Sequence, residues 1–146
     1  MTQARLNFVE LGGELYGALS AVECKLHQSG LEKPLIELVK MRASQLNGCA
    51  FCLNLHSRDA RRGGETEQRL YLLNAWRETP LYTERERAAL AWTECLTLVA
   101  AQGAPDAEYE ALKQQFSPAE IVALTVLIGQ INLWNRLAIG TRAQPA

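Results

Sequence analysis

Residues 37–56 read ELVKMRASQLNGCAFCLNLH, a stretch that predicts two consecutive helices joined by a tight turn. Apolar residues recur at helical spacing through its first half. Asn47 and Gly48 should end the first helix, because both residues tolerate the left-handed backbone found at a helix C-terminus. We expect the second helix to begin near Cys49 and to continue to about Arg62.

The rest of the chain also predicts helices separated by short breaks. No run of residues alternates between apolar and polar as a strand would. Thr83 with Glu86, and Ser117 with Glu120, have the spacing of capping boxes, which mark helix starts. The sequence therefore predicts an all-α fold in a single domain, residues 1–146. The predicted helices cover residues 8–28, 34–47, 49–62, 65–76, 84–101, 106–116 and 118–140.

The overall composition argues against several classes of protein. The chain has 146 residues and a net charge of -1, so we expect no nucleic-acid partner and no membrane-surface partner. No apolar run reaches the roughly 18 residues of a membrane span, and residues 1–17 lack a signal-peptide pattern. We therefore expect a cytoplasmic protein, in which thiols are normally kept reduced. The four cysteines then indicate redox or metal chemistry rather than a disulfide scaffold.

The last long helix indicates self-association. Between Ile121 and Trp134 its apolar residues surround most of the circumference, and such a helix must be covered on every face. A subunit interface would supply that cover, so we expect a homo-oligomer. The alternative is a central core helix in a monomeric bundle.

The cysteines near residue 50 form a candidate redox site. On a helix that begins near Cys49, the side chains of Cys49, Cys52 and His56 share one face, at offsets of three and seven. The first helical turn has unpaired backbone N–H groups and a partial positive charge, which favour a thiolate over a thiol. His56 lies one turn beyond Cys52, where it can take or give a proton.

The preceding helix supplies a candidate acid. Glu37 lies twelve residues before Cys49, in a largely apolar stretch that suits a group holding or passing a proton. If the Asn47-Gly48 turn folds one helix back on the other, Glu37 can approach Cys52 and His56.

Two other interpretations of the cysteines stay open at this point. The Cys-x-x-Cys pair could bind zinc, with Glu37 and His56 completing four ligands, although structural zinc sites more often use two cysteine or histidine pairs. The thiols could also be inert core residues. Cys24 and Cys95 are predicted to be buried in this way, and His27 is predicted to lie at the surface or near a helix end.

The motif resembles the alkylhydroperoxidase D-like group of the carboxymuconolactone decarboxylase superfamily. The segment INLWNR at residues 131–136 is also similar to a C-terminal segment common in that group. The likeness is strong over the middle third of the chain and loose elsewhere. All spacings of the group's motif agree with this sequence, at Glu37, Arg42, Ser44, Gln45, Asn47, Cys49, Cys52 and His56.

The resemblance implies an all-helical fold that forms trimers or hexamers and reduces peroxides or alkyl hydroperoxides with its thiols. Cys52 would attack the peroxide, Cys49 would resolve the oxidised sulfur as a disulfide, and Glu37 and His56 would relay protons. The implied reductant is an external dithiol or a lipoyl-bearing protein. No cofactor and no metal are implied.

One position departs from the pattern of the group. Some members carry a histidine immediately before the second cysteine, where this sequence has Phe51. Any relay step through that imidazole is missing, so we expect lower activity or a different substrate. A redox sensor or thiol–disulfide protein without peroxidase turnover is the alternative function.

Overall fold

The computed structural model describes residues 3–145, so the outermost positions of the predicted domain lie outside the described residues. Between residues 3 and 145 the chain forms helices and no strand, which confirms the predicted all-α class. The α-helices are α1 (Phe8–Leu11), α2 (Gly13–His27), α3 (Lys33–Asn47), α4 (Ala50–Arg62), α5 (Glu67–Tyr71), α6 (Glu84–Thr97), α7 (Val99–Gln102), α8 (Asp106–Lys113) and α9 (Pro118–Thr141), with a 3₁₀ helix at Leu73–Glu78.

Helix α3 lies at the centre of the fold and packs against α4, α6 and α9. Ile36 and Val39 belong to one apolar cluster, shared with α6, α8 and α9. Leu38 and Met41 belong to a second cluster, shared with α4, α5 and the 3₁₀ helix. Burying one such side chain contributes about 1.5–3 kcal/mol, so α3 is held firmly from two sides. The polar residues of α3 are therefore placed by a rigid element.

The predicted helix over residues 8–28 is divided into α1 and α2 by two glycines. Gly13 has a φ of +52°, which disfavours any residue with a side chain. A Cβ atom at Gly12 would lie 2.7 Å from the carbonyl oxygen of Phe8 and 2.8 Å from Cβ of Tyr16. The glycines thus permit a sharp turn that places α1 against α2 and α9.

Two other predicted helices are also divided. Residues 65–76 form α5 and the 3₁₀ helix, with non-helical angles at Ala75. The buried residues Leu70, Leu73 and Trp76 recur every three residues, a spacing that a 3₁₀ helix puts on one face. The helix predicted from the Thr83–Glu86 capping box begins at Glu84, directly after its N-cap Thr83 as predicted, but it is interrupted at Leu98 (φ -103°, ψ 30°).

Helix α9 is not covered on every face by the described chain. Val122 and Val126 are exposed near its start, and Ile139 is exposed near its end. The helix is long and apolar enough to cross a membrane by length and composition, although no such span was predicted. Core helices pass the same test, and α9 packs against α2, α3, α4 and α6 and buries the polar residues Gln130 and Asn135.

Candidate active site

The turn between α3 and α4 forms as the sequence predicts. Gly48 adopts the left-handed conformation (φ 69°, ψ 36°) directly after Asn47, the last residue of α3. Cys49 is the N-cap of α4, and its sulfur accepts a 3.3 Å hydrogen bond from the backbone N–H of Cys52. The Cys49 sulfur therefore lies at the positively polarised end of a thirteen-residue helix.

The structure brings the two cysteines together as a disulfide. Their Cα atoms are 5.3 Å apart, and Cys49 and Cys52 are 1% and 3% exposed. Of the two, Cys52 is among the residues that line the neighbouring cavity. Because the sulfurs are bonded to each other, neither is available to zinc in this oxidised form.

The imidazole of His56 and the carboxylate of Glu37 also meet. Nδ1 of His56 lies 3.0 Å from Oε2 of Glu37, and both side chains are largely buried. A protonated Nδ1 donates to the carboxylate, which fixes the tautomer and leaves Nε2 as the atom that takes or gives a proton. His56 lines the same cavity as Cys52. All four predicted site residues thus belong to one region.

A partly buried amide network holds the turn before the thiols. The Asn47 amide donates to Oδ1 of Asn132 (2.9 Å) and to Oδ1 of Asn135 (2.8 Å). The Asn135 amide in turn donates to the Ser44 hydroxyl at 3.0 Å. The sequence predicts that Asn47 ends the first helix, but it does not by itself indicate roles for Ser44, Asn132 or Asn135. Two asparagines three positions apart in an otherwise apolar helix were the available signal.

The motif residues Arg42 and Gln45 belong to a separate network. Nε of Arg42 donates to Glu94 at 2.9 Å, and its Nη1 donates to Gln45 at 3.0 Å. Trp76 and Arg77 also donate to Glu94. Burial raises the pKa of Glu94, but these hydrogen bonds outweigh burial and hold that pKa below its ordinary value. This network joins α3, α6 and the 3₁₀ helix.

A cavity of about 300 Å³ adjoins the disulfide; we call it the Cys52 cavity. Four aromatic rings line it together with Cys52 and His56; they belong to Phe8, Tyr16, Phe51 and Trp134. Sequence reasoning did not identify Phe8, Tyr16 or Trp134 as site residues, because they come from three different helices.

The Cys52 cavity also has one charged wall. Nζ of Lys40, a buried residue, lies 2.7 Å from Oε2 of Glu23. The indole N–H of Trp134 donates to the other oxygen of that carboxylate at 2.9 Å. Both charged groups line the cavity, and the ion pair fixes the orientation of the Trp134 ring.

One group of side chains in the described part of the chain could hold a metal ion. Ligand atoms of Glu37, His56 and Asp59 lie within 4.8 Å of one another. Glu37 is already hydrogen-bonded to His56, and Asp59 is ion-paired with Arg62 at 3.3 Å. These contacts satisfy the group without a metal.

The sequence also makes predictions for Cys95, Cys24 and His27, of which two are confirmed and one is wrong. Cys95 is buried as predicted, and burial raises the pKa of its thiol, with nearby Glu108 and Glu94 adding to the effect. The prediction that Cys24 is buried is wrong, because Cys24 lies on the outward face of α2 and is exposed. His27 lies at the surface near the end of α2, as predicted.

Comparison with known proteins identifies a family and relatives of this chain. The sequence profile of the carboxymuconolactone decarboxylase family matches residues 13–94. The uncharacterized protein YdfG of Bacillus subtilis is 40% identical over 141 residues, which cover 95% of this chain and 96% of YdfG.

Solved structures share the fold over nearly the whole chain. ATU0492 from Agrobacterium tumefaciens is a protein of unknown function proposed to be the antioxidant defence protein AhpD. It is 46% identical, with a TM-score of 0.95 and coverage of 99% of both chains. The debrominase Bmp8 is 18% identical with a TM-score of 0.81, covering 94% of this chain and 74% of Bmp8, a likeness that shows the fold alone. Motif, fold and sequence profile agree, and the chain belongs to the alkylhydroperoxidase D-like group of the carboxymuconolactone decarboxylase family.

Proposed function

We propose that the protein is a thiol-dependent peroxidase that reduces peroxides with the Cys49–Cys52 pair. One observation carries this proposal: a cysteine pair at a helix N-terminus shares a cavity region with a histidine whose Nδ1 lies 3.0 Å from a buried carboxylate. Peroxide reduction needs a nucleophilic sulfur and a group that protonates the departing oxygen. The relatedness to ATU0492, itself proposed to act in antioxidant defence, supports the same chemistry.

In the first step, His56 takes the proton of the Cys52 thiol, and the thiolate attacks the terminal oxygen of ROOH. The S–O bond forms, the O–O bond breaks, and RO⁻ leaves with the electron pair. The His56 imidazolium, held by Glu37, returns the proton to give ROH, and Cys52 becomes a sulfenic acid.

In the second step, the Cys49 thiol attacks the Cys52 sulfur. The S–S bond forms, the S–O bond breaks, and the hydroxyl group leaves as water with the proton of Cys49. A dithiol then reduces the disulfide by thiol–disulfide exchange and is itself oxidised. Over the cycle, one ROOH and one dithiol give ROH, water and one oxidised dithiol.

The surroundings of the two sulfurs favour Cys52 as the attacking thiol. Cys52 lines the cavity, where a peroxide can reach it, whereas Cys49 is not among the residues that line the cavity. Cys49 also accepts the backbone N–H of Cys52, so its sulfur is already turned towards Cys52. This arrangement suits a resolving thiol.

The proposal includes a reducing partner and a location. The disulfide must be reopened once per cycle, so a cytoplasmic dithiol protein, such as a lipoyl-bearing protein, is the proposed electron donor. The cytoplasm suits this cycle because its thiols are kept reduced.

We also propose that the protein is a homo-oligomer, either a trimer or a hexamer. An apolar groove of about 680 Å³ runs between α1, α2 and α9, and Leu15 on its rim is 77% exposed. Contiguous exposed apolar surface of this kind marks interaction sites. Light scattering should give a mass above that of one chain, and Leu15→Glu should lower it.

Peroxide consumption with a dithiol donor tests the proposed activity. The wild type should turn over continuously, and Cys52→Ser should abolish turnover. Cys49→Ser should stop after one oxidation and leave a sulfenic acid on Cys52 that a dimedone reagent traps. Cys24→Ser is the matched control, because that thiol lies outside the site, and it should keep full activity.

The same assay separates the peroxidase from a redox sensor. A sensor would oxidise once in the wild type and stop even with excess dithiol present. Full turnover by both Cys52→Ser and Cys49→Ser would contradict the proposed chemistry.

A further inference from the structure

We infer that the Cys52 cavity binds the aromatic body of an organic hydroperoxide, and that Phe8 determines this specificity. The inference rests on the proposed peroxidase function, because it assigns a substrate class to the same cysteine pair. The observations that carry it are the size of the cavity, its aromatic walls and the parts of the chain from which those aromatic residues come.

The cavity is much larger than hydrogen peroxide requires. A water molecule occupies about 30 Å³ in the liquid, and hydrogen peroxide is larger by only one oxygen atom. The Cys52 cavity has a volume of about 300 Å³. Hydrogen peroxide would leave most of this space filled by water, whereas an organic hydroperoxide with a ring would displace that water.

The walls of the cavity are arranged as aromatic rings prefer to pack. Phe8 and Phe51 meet edge to face, with centroids 6.3 Å apart and an interplanar angle of 83°. Tyr16 and Trp134 meet at 5.7 Å and 65°. Ring pairs favour such geometries because ring edges and faces carry opposite partial charges. A substrate ring that enters the cavity could therefore contact both the faces and the edges of these rings.

Phe8 comes from a part of the chain that the family profile does not match. The profile covers residues 13–94, whereas Phe8 lies in α1 and Trp134 lies in α9. The backbone N–H of Arg5 donates to the Thr141 carbonyl at 2.8 Å, and its guanidinium donates to the Gly140 carbonyl at 3.1 Å. The N-terminal segment is thereby held against the end of α9, so that the Phe8 ring can form the outer wall.

The position of Phe8 makes it a specificity residue rather than a catalytic one. Its ring contacts the cavity from a four-residue helix in which no residue is fully buried. Removing that ring would open the cavity to water and remove contact area for an apolar substrate. His56 and Glu37 would stay in place, because α4 and α3 hold them, whereas Cys52 would lose one apolar neighbour, because Phe8 packs against the cluster that contains Cys49 and Cys52.

Single-turnover oxidation of the reduced protein tests the inference. Disulfide formation is followed after mixing with cumene hydroperoxide, tert-butyl hydroperoxide or hydrogen peroxide, each at several concentrations. The wild type should react at least tenfold faster with cumene hydroperoxide than with either of the others. Phe8→Ala should lower the cumene hydroperoxide rate constant about tenfold more than it lowers the hydrogen peroxide rate constant.

Two further variants keep this test decisive. Glu10→Ala changes the same short helix at an exposed position outside the cavity, and it should leave all three rate constants unchanged. Phe8→Leu retains apolar bulk and should fall between Phe8→Ala and the wild type.

The outcomes separate the inference from the proposed function. Oxidation by all three peroxides at similar rates, or an equal loss with every peroxide in Phe8→Ala, would overturn the inference and leave the peroxidase proposal standing. A faster reaction with tert-butyl hydroperoxide than with cumene hydroperoxide would also overturn it. Failure of every peroxide to form the disulfide in the wild type would overturn both.

Discussion

The side-chain amide of Asn47 donates a 2.8 Å hydrogen bond to Asn135, a residue 88 positions later in the chain. Asn135 is fully buried, and its side-chain amide donates a hydrogen bond to the Ser44 hydroxyl. The helix end that places Cys49 is therefore fixed by α9 as well as by the local turn.

Replacing Asn135 by leucine should lower the free energy of unfolding by about 2 kcal/mol, because the Ser44 hydroxyl and the Asn47 amide then lose buried partners. Urea unfolding of the reduced protein measures this loss. The rate of disulfide formation with peroxide should fall as well, because the turn before Cys49 loosens.

Gln130→Leu is the matched control on the same helix. The Gln130 amide is also buried, but it donates to the Leu19 carbonyl on α2 and is not part of the Asn47 network. It should lower stability without slowing disulfide formation. An Asn135→Leu protein with the stability and rate of the wild type would show that the network does not position the thiols.

Replacing Glu37 by glutamine should slow oxidation of Cys52 by peroxide about 100-fold, in line with the loss of one general acid–base partner. The glutamine oxygen can still accept a hydrogen bond from Nδ1 of His56, but it cannot stabilise an imidazolium as a carboxylate does. Single-turnover kinetics at several pH values measure the change. Asp59→Asn removes another carboxylate close to the same histidine and should have a small effect. Equal losses in the two variants would argue against a specific relay through Glu37.

The sequence predicts the local parts of this site well. The Asn47-Gly48 helix end and both capping boxes depend on residues within four positions of one another, so their types and spacings suffice. The approach of Glu37 to His56 follows from two regular helices joined by a tight turn. Helical periodicity fixes each side chain once the turn is known.

The parts that escaped prediction depend on distant contacts. Trp134 donates to Glu23 across 111 residues, and Phe8 meets Phe51 only because two glycines bend the chain after α1. Cys24 was misjudged because apolar residues occur on several sides of α2, and only packing reveals the outward face. Leu15 on the same helix is likewise exposed, although it belongs to the apolar pattern of the sequence.

Glu94 should contribute to stability in a pH-dependent way. Its pKa in the folded protein lies below the ordinary value, since hydrogen bonds from Arg77, Trp76 and Arg42 outweigh the effect of burial. Its contribution is therefore complete above the unfolded pKa, near 4.5, and is lost as the pH falls through the lower folded pKa.

Glu94→Gln should lower the free energy of unfolding by about 2 kcal/mol at pH 7, where charged hydrogen bonds are lost. It should also make stability fall less steeply between pH 5 and pH 3. Urea unfolding at several pH values measures both effects. Glu110→Gln breaks an exposed pair with Lys113 and should change stability much less than Glu94→Gln, because water and salt screen exposed ion pairs. A wild-type pH slope in Glu94→Gln would contradict the assignment.

The four cysteines should differ in their reaction with an alkylating reagent. In the oxidised protein Cys24 is exposed, Cys95 is buried, and Cys49 and Cys52 are joined as a disulfide. Burial also raises the pKa of the Cys95 thiol, which lowers the fraction present as the reactive thiolate. Iodoacetamide should therefore modify Cys24 in the native protein and spare Cys95.

Mass spectrometry under three conditions checks this ordering. The oxidised native protein should take up one label, the oxidised unfolded protein two, and the reduced unfolded protein four, since the disulfide removes two of the four thiols. Cys24→Ser should take up no label in the native, oxidised state. Labelling of Cys95 as fast as Cys24 in the native protein would contradict its burial, and four labels in the oxidised unfolded protein would contradict the disulfide.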